Sequence, residues 1–502
     1  MSRRMIGVVL LCCSTAFFST GLRVQERKEI ADQKTAAEPG PDGLNKRILV
    51  LTDIENEPDD TMSMVRLMLY SNQIDIEGLV ATTSMFMTDR VAPESIHKVV
   101  QAYSEARPNL LLHEKGFPTF EELDAKVKHG LPVYGMKGVG EGHDSEGSEW
   151  IIKVLEKPDE RPLWVTVWGG PNTLAQALWK IQRTKTPEEA EKLYRKLRVY
   201  TISDQDDSGS WIRKTFPHVF YVCSPGVDFG AATWIGINFP FPGSNTDVIS
   251  PQWLARNIQQ GHGSLGAAYP DIAYGMEGDT PSYLSLIPNG LNDPEHPNYG
   301  GWGGRYELYT MMTLPGTLPA KYRGPEYLGN NPAHPIPPSE KETRPIWTNA
   351  EDTIVSPLDN KAYKSIHATV WRWREDFQND FAGRMCWATK NYKECNHPPV
   401  VLLKTPDKLT VHSGDRFYLD ASASTDPDGD SLSFLWFQYP QAGTYAGTIN
   451  FKPFSTNLRN LPVMAPIVDK PETLHFIVKV TDKGTPPLTR YRRVIVEVLP
   501  KQ

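Results

Sequence analysis

Residues 47–69 read RILVLTDIENEPDDTMSMVRLML, and this stretch indicates the fold. The run ILVL (48–51) is short, continuous and apolar, which is typical of a strand buried on both faces of a parallel sheet. Apolar residues then recur at helical spacing from Met62 to Leu69, and IDIEGLVATTS (74–84) has the pattern of a second strand. Together they predict a βαβ unit, in which ligands bind beyond the carboxyl ends of the strands.

The same alternation continues along the chain, through RPLWVTVWGG and PNTLAQALWKIQ to KLRVYTIS and HVFYVCSPG. We therefore expect an α/β domain over residues 46–330, with an open, mainly parallel sheet flanked by helices. Residues 331–397 are rich in proline and aromatic residues, and we expect them to pack onto this domain. Residues 398–502 contain short alternating strands separated by turns, with Trp436 in a central strand, and predict an all-β immunoglobulin-like sandwich.

The amino terminus has the layout of a secretory signal. Arg3 and Arg4 precede an apolar run from Met5 to Phe18, and small and then charged residues follow. We expect a signal peptide over residues 1–24 and a flexible leader over residues 25–45; an uncleaved membrane anchor is the alternative. The predicted location is secreted or periplasmic, with no membrane association after cleavage. A net charge of −7 gives no electrostatic reason to expect a nucleic-acid partner.

Five carboxylates crowd the junction between the first strand and the first helix: Asp53, Glu55, Glu57, Asp59 and Asp60. Helix capping accounts for one or two acidic residues at this position. Carboxylates that converge on one crevice repel each other unless a cation neutralises them, and oxygen-only ligands favour Ca²⁺. The spacing thus favours a divalent-metal site, and a solvated acidic loop is the alternative.

The motif D-x-E-x-x-x-D-D, at the end of a buried strand, resembles the D-x-D-x-x-x-D-D signature of nucleoside hydrolases. Further resemblance lies in VWGGPNTLAQAL (167–178), YTISDQDDSGSWI (200–212) and WRWREDFQNDFAGRM (371–385), and in the long loop EGDTPSYLSLIPNGLNDPEHPNYGGWGGRYE (277–307). The chain is identified as a member of the secreted bacterial nucleoside hydrolase-like proteins that carry a C-terminal immunoglobulin-like domain. Some of these are named cellulose-binding proteins.

The resemblance implies roles for the acidic residues. Glu55 and Asp60 would bind Ca²⁺, Asp59 would bind a sugar hydroxyl, and Asp53 or Glu55 would be the catalytic base. The carbonyl of Trp168 and the carboxylate of Asp279 are the remaining candidate metal ligands, although Asp279 in EGDTP is equally typical of a turn. A metal-bound water would then attack the anomeric carbon of a glycosidic, most simply an N-glycosyl, bond.

Six further residues in the matching stretches are predicted to contact the substrate: Asn172, Asp206, Asp207, Trp211, Glu277 and His296. Two positions depart from the nucleoside hydrolase pattern. Glu55 replaces an aspartate and is one methylene longer, and Gly278 stands where those enzymes often have a histidine that helps the leaving group. A general acid contributes ~10²–10⁴-fold to the rate, so its absence would slow turnover without abolishing it.

Two functions of different classes follow from these residues. The first is a Ca²⁺-dependent glycosidic hydrolase, and the second is a non-catalytic protein on the same scaffold that binds a polysaccharide such as cellulose. The expected partner in either case is a sugar-containing small molecule or a polysaccharide. Elsewhere, the Asp426–Asp430 turn is a candidate Ca²⁺ site or a simple turn, and Cys386 and Cys395 form a disulfide or stay free.

Overall fold

The computed structural model describes residues 44–224, 230, 232–309, 345–449, 451 and 458–501. The predicted signal peptide (1–24), almost all of the predicted leader (25–45) and the predicted boundary at 330/331 lie outside these residues. Within the described ranges, no helix combines the length and the apolar character needed to cross a membrane.

An eight-stranded sheet forms the centre of the α/β part, in the order β3-β2-β1-β4-β5-β6-β8-β7. Neighbouring strands run parallel, except that β7 and β8 are antiparallel. The strands are β1 (Lys46–Thr52), β2 (Ile74–Ala81), β3 (Val127–His129), β4 (Leu163–Val167), β5 (Leu197–Thr201), β6 (Phe220–Cys223), β7 (Tyr306–Tyr309) and β8 (Ile346–Asn349). The predicted mainly parallel sheet is confirmed.

The first strand shows why the apolar run is continuous. Ile48 and Val50 pack into the core on one face of the sheet, while Leu49 and Leu51 pack into the core on the other. All four side chains are fully buried, so neither face of β1 meets water. This burial on two sides is the physical reason that an alternating polar pattern is absent here.

Helices cover both faces of the sheet. In chain order they are α1 (Pro58–Leu69), α2 (Pro93–His113), α3 (Phe120–Asp124), α4 (Glu146–Leu155), α5 (Asn172–Thr184), α6 (Pro187–Lys196), α7 (Ser208–Thr215), α8 (Pro251–Leu254), α9 (Gly263–Ala268), α10 (Pro281–Leu284), α11 (Ala368–Trp371) and α12 (Arg374–Trp387). Apolar residues of α1, α2 and α12 lie in the core on one face, and those of α4, α5, α6 and α7 lie in the core on the other.

The segment that was expected only to pack onto the α/β domain also contributes to its sheet. Residues 346–349 form β8, which lies between β6 and β7. A two-stranded ribbon of β9 (Asp352–Val355) and β10 (Ala362–Ser365) follows it. A strand of four residues gives too little periodicity to be recognised from sequence. Cys386 and Cys395, at the end of α12 and just beyond it, form a disulfide.

The C-terminal residues form two sheets around their own core. The first has the order β11-β16-β15-β13 and the second pairs β12 with β14. The strands are β11 (Lys408–His412), β12 (Arg416–Asp420), β13 (Ser433–Gln438), β14 (Asn460–Met464), β15 (Glu472–Thr481) and β16 (Thr489–Leu499). The predicted β-sandwich is confirmed, but Trp436 lies on β13, at the edge of its sheet among the described strands. It is nevertheless fully buried, because its indole enters the core between the sheets.

Candidate functional site

The candidate site lies where the strand order of the large sheet reverses. From β1, the chain adds β2 and β3 on one side and later adds β4, β5 and β6 on the other. The loops after β1 and β4 therefore diverge and leave a crevice at the carboxyl ends of the strands, the usual ligand position in such sheets. Asp53 follows β1 directly, and Trp168 to Gly170 follow β4.

Local hydrogen bonds fix the loop between β1 and α1. The hydroxyl of Thr52 accepts a bond from the amide of Ile54 at 3.1 Å and donates a short one to Asp60 Oδ1. Pro58 begins α1, where its missing N–H costs nothing. The first helical turn thereby directs Asp59 and Asp60 into the crevice.

The third carboxylate comes from a distant part of the chain. Asp279 lies just before α10 and is buried, and its main-chain carbonyl accepts bonds from the amide of Ser282, at 3.0 Å, and from the Ser282 hydroxyl, at 2.6 Å. Carboxylate oxygens of Asp59, Asp60 and Asp279 all lie within 4.8 Å of one another. The structure thus brings together three residues that the sequence predicts for metal and sugar binding.

Asp53 lies beside this group and is buried. A methyl group at Gly169 would lie 2.9 Å from Asp53 Oδ1, so the glycine lets the loop after β4 approach the carboxylate. Oδ2 of Asp53 and Oδ2 of Asp279 are buried and have no hydrogen-bond partner among the described residues. Buried carboxylate oxygens without a partner are costly unless a cation or ligand joins them.

The electrostatics of the crevice reflect this burial. Burial is the largest effect and raises the pKa of Asp53 to about 6 and that of Asp59 to about 7. Burial, followed by the charges of neighbouring carboxylates, also raises the pKa of Asp60 and of Asp279 well above the ordinary value. Several carboxyl oxygens within a few ångströms, with no cationic side chain of the described residues among them, form a donor set that suits a hard divalent cation.

Glu55 is not part of this group. The sequence predicts it as a metal ligand and as the base, but its carboxylate pairs with Arg90 at 3.0 Å and accepts a short hydrogen bond from Ser95. The hydrogen bond from Ser95 has the largest effect, and together with the bond from Arg90 it lowers the pKa of Glu55. Its backbone is left-handed, with φ of 79°, which turns the side chain towards solvent. The longer side chain is thus held away from the crevice.

Trp168 and Asn172 lie in the loop and helix start that follow β4. The Trp168 carbonyl accepts a bond from Gln205 Nε2 at 2.6 Å, and its indole donates to the Ser282 hydroxyl at 3.0 Å. Asn172 accepts a bond from the Thr82 hydroxyl at 2.8 Å and donates to the Val133 carbonyl at 2.8 Å. Its amide thus ties the loops together beneath the crevice and faces protein groups.

Asp206, Asp207 and Trp211 lie around the start of α7. Asp206 is fully buried, and this burial raises its pKa to about 7; its Oδ2 has no hydrogen-bond partner among the described residues. Asp207 accepts a bond from the amide of Met136 at 2.8 Å. Trp211 is half-buried and packs edge-on against Phe216. Of these three predicted substrate contacts, only Asp206 has an unused buried acceptor.

Glu277 and His296 have other surroundings. Glu277 is fully buried and pairs with Arg66. His296 is exposed, bonds Asp293 at 2.8 Å and lines a cavity of about 570 Å³ together with Lys46. Because Lys46 is the first residue of β1, this cavity lies at the amino ends of the strands, whereas Asp53 lies at their carboxyl ends. The structure therefore separates His296 from the carboxylates.

Sequence reasoning missed two neighbours of the carboxylates. Thr52 orients Asp60, as described above, and Trp234 lies beside Asp59. A methyl group at Gly278 would lie 2.6 Å from Asp59 Oδ2 and 3.0 Å from Trp234 Cζ3. This crowding explains why glycine, and no larger residue, occupies position 278. A threonine at a strand end or a single loop tryptophan has no sequence signal of its own.

Comparison with known families identifies both parts of the chain. The family model described as "Cellulose-binding Sde182, nucleoside hydrolase-like domain" matches residues 47–306, which is more than half of the chain. The model "Cellulose-binding protein Sde0182, C-terminal domain" matches residues 416–498. The chain belongs to the Sde182 family. The resemblance stated from the motifs is therefore confirmed, and the α/β part has a nucleoside hydrolase-like scaffold.

A solved structure from Saccharophagus degradans supports this assignment. It is described as a nucleoside hydrolase-related hypothetical protein associated with carbohydrate metabolism. It is 34% identical in sequence, covers 90% of this chain and 100% of its own, and superposes with a TM-score of 0.73. Because the match covers 90% of this chain, it extends over both the α/β part and the C-terminal sheets.

Two further solved structures are too dissimilar to carry an argument. The type III effector XopQ complexed with adenosine diphosphate ribose covers 55% of this chain and 74% of its own, at 12% identity and a TM-score of 0.28. Three domains of the outer capsid protein Hoc of bacteriophage RB49 cover 20% of this chain and 30% of their own, at 14% identity and a TM-score of 0.15. Comparison with curated proteins gives no match.

Proposed function

We propose that this Sde182-family protein is a Ca²⁺-dependent hydrolase of a glycosidic, most simply an N-glycosyl, bond. The observation that carries the proposal is the group formed by Asp59, Asp60 and Asp279, whose carboxylate oxygens lie within 4.8 Å of one another. A group of this kind is costly to bury without a cation. Its position at the reversal of strand order is the usual place for a ligand in an open α/β sheet.

In this proposal Asp60 and Asp279 hold the cation, with Asp59 beside it and the Trp168 carbonyl near. When bound, a divalent cation lowers the pKa of water and orients sugar oxygens. Asp59 is less buried than Asp60 and Asp279, so it can accept a hydrogen bond from a sugar hydroxyl. Asp53 is buried beside this group, and its Oδ2 has no hydrogen-bond partner among the described residues, so it is placed to accept the proton of the attacking water.

We propose a secreted or periplasmic location for the mature protein. The support is the Cys386–Cys395 disulfide, because disulfides persist mainly in oxidising compartments. The apolar run that predicts a signal peptide lies outside the described residues.

A second function is favoured by one specific observation. Glu55 binds Arg90 and Ser95 and does not join the carboxylates, so one residue of the hydrolase motif is not part of the candidate cation site. The corresponding reading is a polysaccharide-binding protein, in line with the cellulose binding named in the family descriptions. Against it, Trp168 and Trp302, two tryptophans of the loops around the site, are fully buried and cannot stack on a glucan chain.

A substrate screen separates the two functions. Purified protein is incubated with nucleosides and glycosides, with Ca²⁺ or with a chelator, and released reducing sugar is measured. We expect Ca²⁺-dependent release that Asp60→Asn abolishes. The control is Asp159→Asn, which changes an aspartate that pairs with Arg161 and should retain activity.

Two measurements accompany the screen. Calorimetry should show that wild type binds Ca²⁺ and that Asp60→Asn does not. The absence of hydrolysis across both sets of compounds, together with retention on insoluble cellulose, would reject the hydrolase and support the binding protein. Full Ca²⁺ affinity in Asp60→Asn would reject the cation site itself.

A further inference from the structure

A fully buried ion pair joins the two chain segments that supply the carboxylates. Arg66 Nε lies 2.5 Å from Glu277 Oε2, and Arg66 Nη2 donates to Glu277 Oε1 at 3.0 Å. Both side chains have no exposed surface. The pair bridges 211 residues of sequence. The hydrogen bond and the second close N–O contact together hold the two partners side by side.

The position of each partner relates the pair to the site. Arg66 lies on α1, whose first turn carries Asp59 and Asp60. Glu277 begins the turn that carries Asp279, and its backbone is left-handed with φ of 51°. A glutamate rarely adopts this conformation unless its surroundings enforce it, and such strain is typical of functional segments.

Other contacts hold the turn in the same place. Glu277 accepts bonds from the Tyr269 hydroxyl at 2.7 Å and from the Thr280 hydroxyl at 2.9 Å. The Thr280 hydroxyl also lies 3.0 Å from the Ser63 hydroxyl, from which it can accept a hydrogen bond, and the Tyr283 hydroxyl donates to the Ser63 carbonyl at 2.9 Å. The bond between Glu277 and Thr280 lies within the turn, the contacts with Ser63 join it to α1, and the bond from Tyr269 joins it to the preceding segment.

Helix α12 also contacts the Arg66 side chain. The Arg66 guanidinium lies 4.0 Å from the centre of the Phe381 ring, and Arg66 Nη1 donates to the Phe377 carbonyl at 3.2 Å. Arg66 Nη2 also makes a short hydrogen bond to the Gln378 side chain. An arginine fixed in this way can set the position of a carboxylate partner, because its planar donors cannot reorient.

We propose that Arg66 and Glu277 are positioning residues, which hold Asp279 against the first turn of α1 so that the carboxylates converge before a cation binds. Three neighbouring carboxylates repel one another, and the free energy that keeps them together must come from elsewhere in the fold. The inference deepens the proposed function, because it treats the carboxylate group as the cation site. It makes the turn an ordered element of the cation-free protein.

The test compares Glu277→Gln with Glu77→Gln in otherwise intact protein. Glu77 is a matched control, because it is a buried glutamate that accepts a bond from Arg47 Nε at 2.7 Å and lies on β2, away from the crevice. Amide hydrogen exchange is measured in chelator, at the hydrogen-bonded amides of Thr280, Ser282 and Tyr283. We expect exchange at least about 10-fold faster in Glu277→Gln and unchanged at these amides in Glu77→Gln.

Calorimetric titration with CaCl₂ gives a second readout that loss of overall stability alone would not move. Because residues that orient ligands contribute about 10–100-fold to metal affinity, Glu277→Gln should bind Ca²⁺ that much more weakly, and Glu77→Gln as wild type does. If Glu277→Gln fails to fold, Tyr269→Phe removes one hydrogen bond to Glu277 and should change exchange and affinity in the same direction.

The outcomes separate the inference from the proposed function. Exchange in the turn that is as slow in Glu277→Gln, or in Tyr269→Phe if that variant must be used, as in Glu77→Gln would overturn the inference. Faster exchange in a protein that binds no Ca²⁺ even as wild type would support the positioning of the turn and reject the cation site. Faster exchange with weakened Ca²⁺ binding would support both.

Discussion

Asp53 is the residue whose environment most directly links chemistry to stability. Burial raises its pKa from 3.8 to about 6, and the charge of Glu57 contributes in the same direction. Between these values the folded protein carries a proton on Asp53 that the unfolded chain has released. Stability that is present at low pH is therefore lost as the pH rises through the folded pKa.

Asp53→Asn removes this titration, and it also removes the repulsion that an ionised Asp53 exerts on Asp59, Asp60 and Asp279. Both effects have the same sign. In chelator, the free energy of unfolding of the variant minus that of wild type should therefore increase from pH 4 to about pH 7, by roughly 3 kcal/mol or more. Buried histidines such as His367 and His475 also titrate in this range, but they are common to both proteins and cancel in the difference. Urea unfolding at several pH values measures it, and a difference that does not change with pH would contradict the assignment.

The acidic motif let the sequence predict Asp53, Asp59 and Asp60 as neighbours, because a strand end and the next helix start are close in any βαβ unit. Glu55 shows the limit of that reasoning. Its direction depends on one left-handed φ angle and on Arg90, which follows a later strand. For Asp279 the sequence leaves two interpretations, a metal ligand or a turn residue, because its approach to Asp60 depends on the tertiary packing of α1.

At the scale of elements, the glycine pair after β4 lets three loops meet. A methyl group at Gly170 would lie 2.3 Å from Asp206 Oδ2 and 2.8 Å from the Thr83 carbonyl. A main-chain carbonyl in a hydrogen-bonded loop cannot move aside as a side chain can; the Gly170 amide itself donates to it at 2.8 Å. The pair therefore determines how closely β4 approaches its neighbours at the crevice.

Gly170→Ala should accordingly destabilise the protein by about 1–3 kcal/mol, as expected when atoms are forced into a packed site. Gly383→Ala is the matched control: it lies within α12, and its added methyl group would first meet the side chain of Leu488 at 3.1 Å. Alanine also favours helix by up to ~1 kcal/mol over glycine. Denaturant unfolding of both variants tests this, and equal midpoints would show that the glycine pair is not constrained.

Elements that repeat an apolar pattern were predicted from sequence, and elements specified by a partner were not. The early strands and helices follow from continuous apolar runs and helical periodicity. Strand β8 has one residue pair with β6, between Val222 and Trp347, and otherwise depends on its antiparallel pairing with β7. Its place in the sheet is a property of that pairing, which the local sequence does not encode.

At the scale of the whole molecule, α12 joins the α/β part to the C-terminal sheets through buried charges. Asp380 binds Arg490 at 2.6 Å and the Tyr70 hydroxyl at 2.6 Å. One turn earlier, Asp376 binds Lys479 at 2.6 Å and accepts a short bond from the Tyr491 hydroxyl. Ion pairs buried to this extent give a cooperative interface, because removing either partner leaves a buried charge without its counter-charge.

We therefore expect wild type to unfold in a single calorimetric transition, and Arg490→Met to lower the free energy of unfolding by roughly 3–5 kcal/mol. Arg416→Met, on an exposed position of β12, is the control and should stay within about 0.5 kcal/mol of wild type. Two separate transitions in wild type, or equal stability of the two variants, would show that the parts fold independently.

The long separation between the two halves of the crevice also orders events in time. Arg66 and Glu277 are 211 residues apart, and because such long-range contacts close at a high entropic cost, we expect their segments to meet late in folding. A cation would find its ligands late, after the main barrier to folding has been crossed. We therefore expect a metal ion bound in this crevice to slow the unfolding of the native protein and to leave its folding rate unchanged.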